Sequence, residues 1–285
     1  MRRHPSAVDA FPANSMIRRV SDEPAIGFGA GRALLLQLAH PHVAAGVAEH
    51  SDFTEHPFKR LQGTLEAVYT MVYGDLALAE SVGRRVQWIH GFVTSPAYRA
   101  NDPANLLWVH ATLLDSALSC YERLVRPLSH DEVETYYEEM AVIAERFGCP
   151  RSEQPATYAA FRDYFAEQVE AMDVTDVGRR LSADVLAPKL PAKLHVPLKP
   201  LLAVQRLVAV GTLPEPIRRR FGFSWDDRRQ RRLDRVHAAA RAYHRAIPRP
   251  VRIAPTHLQG RFLLAQARRH VAAWEQKVAP TPTAT

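Results

Sequence analysis

The chain has 285 residues, 47% of them hydrophobic and 24% charged, a balance that excludes a disordered polypeptide and leaves enough apolar material to enclose a greasy cofactor. Two cysteines make no disulfide framework, no apolar run reaches the roughly 18 residues of a membrane span, and no secretory h-region follows the basic N-terminus, so a soluble, cytoplasmic protein is expected. The net charge of +7 is lopsided: residues 211–285 hold 16 Lys+Arg against 5 Asp+Glu, an asymmetry that invites an anionic partner.

Residues 1–25, interrupted by Pro5, Pro12 and Pro24, read as a loose arm over the surface. From 26 to 278 the pattern is that of one helical domain. Gly27, Gly29 and Gly31 lead into the apolar run 32–39, a buried helix that Pro41 ends or kinks. This glycine-rich stretch has neither a preceding strand nor a GK[ST], so it reads as close helix packing rather than a phosphate loop. Pro57 opens a helix to about Tyr73, Gly74 ends it, and Asp75 caps the next, which runs to about Val93. Helices follow over 103–124, 129–147 (with a Ser129/Glu132 capping box), 155–171 and 176–187. Proline-rich 188–200 is the candidate internal linker. Helices near 200–210, 215–220, 224–246 and 257–278 complete the chain, and 279–285 reads as a disordered tail. Alternating β-branched runs are absent, so the expectation is an all-α fold of about ten helices with negligible sheet.

No glutamate has a histidine three residues on, there is no HExxH, and no two histidines stand at i, i+4, which argues against di-iron carboxylate and zincin sites. No GxSxG elbow supports hydrolase chemistry. In the helix 75–93, His90 falls on the apolar stripe Ala79, Val82, Val86, Ile89, Val93. A core-facing imidazole needs a partner, either a carbonyl or carboxylate or a haem iron, which asks for only one or two protein ligands. Arg60 and Thr64 share a face at i, i+4, where they either hold an anion, a propionate or bound oxygen, or simply form an exposed turn. Leu61, Leu65, Val68 and Val72 are the expected core stripe of that helix. His110 shares a face with Leu106, Leu107, Leu113 and Leu114 and is a second inward imidazole; spacing does not choose between His90 and His110. The runs Arg218–Arg220 and Arg228–Arg232 have few interleaved aromatics, so a solvated basic face is the better reading than nucleic-acid binding. The non-catalytic alternative is a helical protein that uses its basic C-terminal quarter on nucleic acid or as a peripheral contact with an anionic membrane.

Three stretches carry a resemblance: GRALLLQLAHPHVAAGVAEHSDF (31–53), RLQGT (60–64), and HGFV (90–93) followed by YRANDP (98–103) and LLWVHATL (106–113), with LPEPIRRRFGFSW (213–225) beyond them. The chain resembles the bacterial and fungal family that includes the latex-clearing rubber oxygenases and the MpaB-type oxygenases. The resemblance implies a globin-reminiscent helical fold around haem b, a histidine as iron ligand and an Arg-x-x-x-Thr pair beside the haem. Arg60 and Thr64 match that pair, His90 occupies the ligand's place, and His110 ranks second for the cofactor. It further implies an oxidoreductase acting on a small hydrophobic or amphipathic substrate with O2 or peroxide. Two departures weigh against rubber cleavage itself. The lysine that precedes the threonine in rubber oxygenases is Gly63 here, and no glutamate aligns with their base, although Glu49 and Glu55 are near.

Overall fold

Ser15 accepts a hydrogen bond from the Arg18 N–H and starts α1 (Met16–Ser21). Ile17 and Val20 of this helix are fully buried, and the Glu139 carboxylate takes the free N–H groups of Met16 and Ile17. The described part of the segment expected as a loose arm is therefore anchored, with Ala10 bonded to the Gly74 carbonyl and Phe11 buried ahead of α1, because these apolar contacts pay for ordering it. The computed structural model describes residues 8–50, 57–189 and 192–278, without the side chains of 57–61, 192, 194 and 195; the expected disordered tail, 279–285, lies outside it.

A 3-10 turn (Pro24–Phe28) leads to α2 (Gly29–Ala39), α3 (Pro41–His50), α4 (Pro57–Tyr73) and α5 (Leu76–His90). A two-residue hairpin, β1 (Thr94–Ser95) and β2 (Tyr98–Arg99), precedes α6 (Pro103–Leu124), α7 (His130–Arg146), α8 (Tyr158–Ala171) and α9 (Asp176–Leu186). The chain finishes with α10 (Ala192–Gly211), α11 (Glu215–Arg220), α12 (Asp227–Ala246) and α13 (Arg249–Val278). The fold is all-α, and the hairpin is the whole sheet among the described residues. No described helix is long and apolar enough to cross a membrane.

Apolar on nearly every side, α2 sits at the centre, packed by α6, α9 and α10. Trp108 of α6 donates from Nε1 to the Leu36 carbonyl at 3.1 Å and stacks on Phe165 of α8. One charge is built into this core. Arg32, 4% exposed, pairs with Asp115 at 2.6 Å and donates to Ser116 Oγ and the Thr212 carbonyl, both at 2.9 Å. Its guanidinium thus ties α2, α6 and the end of α10 together, with its donors largely satisfied.

Three expected boundaries move. Part of the candidate linker 188–200 is helical, and α10 carries Pro197 and Pro200 inside it. Each proline costs a backbone bond, and the buried Val208, Ala209 and Val210 downstream hold the helix in place. The last helix starts at Arg249 rather than near 257, because Arg252 caps the end of α12 by donating to the Ile247 and His244 carbonyls. Most relevant to function, α5 stops at His90, and the chain turns at Gly91 into the hairpin instead of continuing to Val93.

Candidate functional site

The α4–α5 hairpin carries Arg60, Thr64 and His90. Gly74 ends α4 by donating to the Thr70 carbonyl at 2.9 Å, and Asp75 caps α5 by accepting from the Leu78 N–H at 2.9 Å. Two connecting residues force the helices to lie antiparallel. Arg85 of α5 lies 3.7 Å from Glu66 of α4, and Gly83 lies beside the Met71 Cε, which sets the register between them. If both helices continue straight toward the open end of the hairpin, that register would bring His90 level with residues 61–64, next to Arg60 and Thr64. The Arg60 side chain is outside the described atoms, and Thr64 is exposed.

His90 is not the core residue that its stripe implied. It is the last residue of α5 and half-buried, and Ile89 beside it is 38% exposed. The stripe is buried at Ala79 and Val82 and reaches the surface as the helix ends. There the helix presents aromatic surface: Trp88 is 42% and Phe92 64% exposed, with their rings edge to face at 4.8 Å. Trp274 of α13 stands 6.4 Å from Trp88. Behind the hairpin, Tyr98 of β2 donates to Glu49 at the end of α3 at 3.0 Å, and its ring packs beside His50 and Gly46. Burial first, and Glu49 second, push the Tyr98 phenol up to about 12, so it remains a hydrogen-bond donor. The end of α3 and the β-hairpin that follows α5 therefore meet in one region. Glu55, the other carboxylate noted in the sequence, lies outside the described residues.

The buried face of α4 also differs from expectation. Leu65 and Val68 are only half-buried, whereas Glu66, Thr70, Met71 and Val72 are fully buried. Glu66, 2% exposed, accepts from His270 Nδ1 of α13 at 2.8 Å and pairs with Arg85. Gln62 donates to Gln266 at 2.8 Å along the same seam. Sequence reasoning missed the Glu66–His270 pair, and the available signal was the one carboxylate of α4, two residues beyond Thr64 and beside the apolar stripe.

His110 is buried, as expected, but elsewhere. It lies on the side of α6 that carries Leu106 and Leu107, which pack with Ala144 and Cys149. Burial pushes its imidazole down to about 4, and its Nε2 meets no partner among the described residues. His40, in the LAHPHV stretch, is likewise pushed down to about 4, by burial first and by His42 second; the two rings are 5.4 Å apart. Among the described residues no three His, Cys, Asp or Glu side chains converge as a bare metal ion would require.

Comparison with known proteins fits this arrangement to a family. Residues 17–242 match the catalytic domain described as ER-bound oxygenase mpaB/B'/Rubber oxygenase. Two proteins described only as uncharacterised, from Mycobacterium bovis and Mycobacterium tuberculosis, are each 28% identical over 225 residues, covering 75% of this chain and 87% of theirs. No solved structure matches the chain at a significant level. The match runs from α1 through most of α12 and takes in the whole α4–α5 hairpin, so the chain belongs to the mpaB and rubber oxygenase catalytic-domain family.

Proposed function

We propose that this protein is a haem b-dependent oxygenase of a small hydrophobic or amphipathic substrate, with His90 as the iron's protein ligand. The residues present suit that group on chemical grounds. A haem needs one imidazole, an apolar wall for its plane and polar contacts for its propionates. The end of α5 offers His90 and the aromatic surface of Trp88 and Phe92, and the α4–α5 register would bring the Arg60–Thr64 turn beside them. What supports the reading most is this combination of a half-buried imidazole and an exposed apolar patch, since soluble surfaces rarely leave such patches uncovered.

When bound, the haem supplies the redox chemistry with O2 or peroxide that side chains cannot. The chain's own residues hold and orient. His90 presents a neutral imidazole nitrogen to the iron. Arg60 offers a permanent guanidinium charge to a propionate, and Thr64 a hydroxyl donor one turn away on the same face. Trp88 and Phe92 exclude water and receive the apolar part of the substrate. Glu49, held by the Tyr98 hydroxyl at one oxygen, is a carboxylate at this end able to accept a substrate proton at the other.

The test is spectroscopic. The purified protein, or protein reconstituted with haemin, is expected to show a Soret band that His90→Ala loses while its helical circular dichroism is retained. His110→Ala is expected to keep the band. A protein that stays colourless and leaves the haemin spectrum unchanged rules the reading out, and equal loss in the two variants removes the assignment to His90.

A further inference from the structure

A concave site lies at the closed end of the α4–α5 hairpin. Tyr73, the last residue of α4, donates to Asp22 at the edge of this region, 13 residues and about 20 Å along the helix from Arg60. Here the loop before α1, the end of α6, the end of α12 and the start of α13 enclose a cleft of about 490 Å3. Its charged lining consists of Arg19, Glu23, Arg126, His244, Arg249 and Arg252.

We propose that this cleft binds the phosphate or diphosphate group of a small molecule, with Arg19, Arg126 and Arg249 as its contacts. The commitments of each guanidinium carry the argument. Arg252 is spent on the fold: it grips both oxygens of Glu23 at 2.7 and 2.8 Å and caps α12. Arg126 uses two nitrogens on Glu132, each at 2.7 Å, and one of them also donates to the Pro127 carbonyl at 2.8 Å, so it adds charge to the cleft more than free donors. Arg19 gives one nitrogen to Glu132 at 3.1 Å, and Arg249 gives one to Asp22 at 2.6 Å. The side chains of Arg19 and Arg249 are 47% and 54% exposed, so both keep donors directed at solvent around the cleft.

Four guanidinium groups thus face three carboxylates, Glu23, Glu132 and Asp22, and His244 adds to the positive excess whenever it is protonated. A single carboxylate is satisfied by one guanidinium fork, as Glu23 already is. Several forks around one cleft suit a group with two or more charges and three or more acceptor oxygens, which describes a phosphate or diphosphate. The volume is that of an ordinary small-molecule site. Part of the C-terminal basic excess is thereby given a destination, since Arg249 and Arg252 open α13.

Calorimetric titration of the full chain with inorganic pyrophosphate tests the proposal. Saturable binding is expected, weakened about tenfold or more by Arg19→Gln with Arg249→Gln. A matched control, Arg228→Gln with Arg232→Gln on the solvent face of α12, is expected to bind as the parent does. Both pairs remove exposed charges and leave the core untouched, which circular dichroism checks. Flotation with vesicles of phosphatidylcholine, with and without phosphatidic acid, separates the two sources of the phosphate. Retention on phosphatidic acid that pyrophosphate competes away supports a lipid headgroup. Pyrophosphate binding without vesicle retention supports a soluble ligand. Absence of saturable pyrophosphate binding, or equal weakening in the control pair, overturns the proposal.

Discussion

Two histidines, the buried His110 and the half-buried His40, are pushed toward the neutral form by burial, with a consequence that can be measured. Burial depresses both His40 and His110 from 6.5 to about 4. Between those values the unfolded chain binds protons that the folded chain refuses, so stability rises with pH in that window and is lost as pH falls through it. Each site contributes at most about 1.4 kcal/mol per pH unit. Urea unfolding between pH 6.5 and 4 is expected to show this slope, and His110→Leu to reduce it by one proton's worth. An unchanged slope in that variant means His110 is charged, or solvated, in the folded protein. His90 differs in position: it is half-buried at a helix end rather than sealed in the core.

At the scale of elements, the position of α5 is set by Gly83. A Cβ there would collide with the Arg146 carbonyl at the end of α7, so only glycine permits this approach of the two helices. Gly83→Ala is expected to push α5 outward and to cost about 1–3 kcal/mol, read as a lowered unfolding midpoint. Because α5 carries His90 at its end, the same variant is expected to retain less haem than the parent. Full haem retention together with the lost stability would separate the packing role of Gly83 from the proposed site.

Over the whole molecule, the helix that covers the candidate site lies beyond the family match, which ends at residue 242. Packed along both α4 and α5, α13 joins them through His270 to Glu66 and Arg268 to Asp75, the latter at 2.7 Å. Glu66 is a buried carboxylate whose shortest contact comes from a residue 204 positions away. Among the described residues, His270→Ala leaves that carboxylate with only the longer Arg85 contact, and is expected to cost about 1–3 kcal/mol. Chemical denaturation measures the loss. If the midpoint does not move, α13 is held by its apolar contacts alone, and the pair is incidental to stability.

Local chemistry was enough to read the helical class, the Pro57, Gly74 and Asp75 punctuation of the hairpin and the capping box at Ser129, because caps and helix stops act within one turn. The i, i+4 relation of Arg60 and Thr64 and the inward place of His110 were legible for the same reason. Periodicity misled where an element ended sooner than its apolar pattern: the stripe through Val93 implied a buried His90, but the chain turns at Gly91 and leaves that residue half-buried. Burial of Met16, Ile17 and Val20, and the helical course of α10 through two prolines, depend on packing partners that no local window contains. So do the Glu66–His270 pair and the arginine-lined cleft, whose members come together from both ends of the chain. How α4 and α5, which carry Arg60, Thr64 and His90, sit against each other is a matter of register between two antiparallel helices, and register is decided by tertiary contacts such as Glu66 to Arg85 rather than by either helix alone.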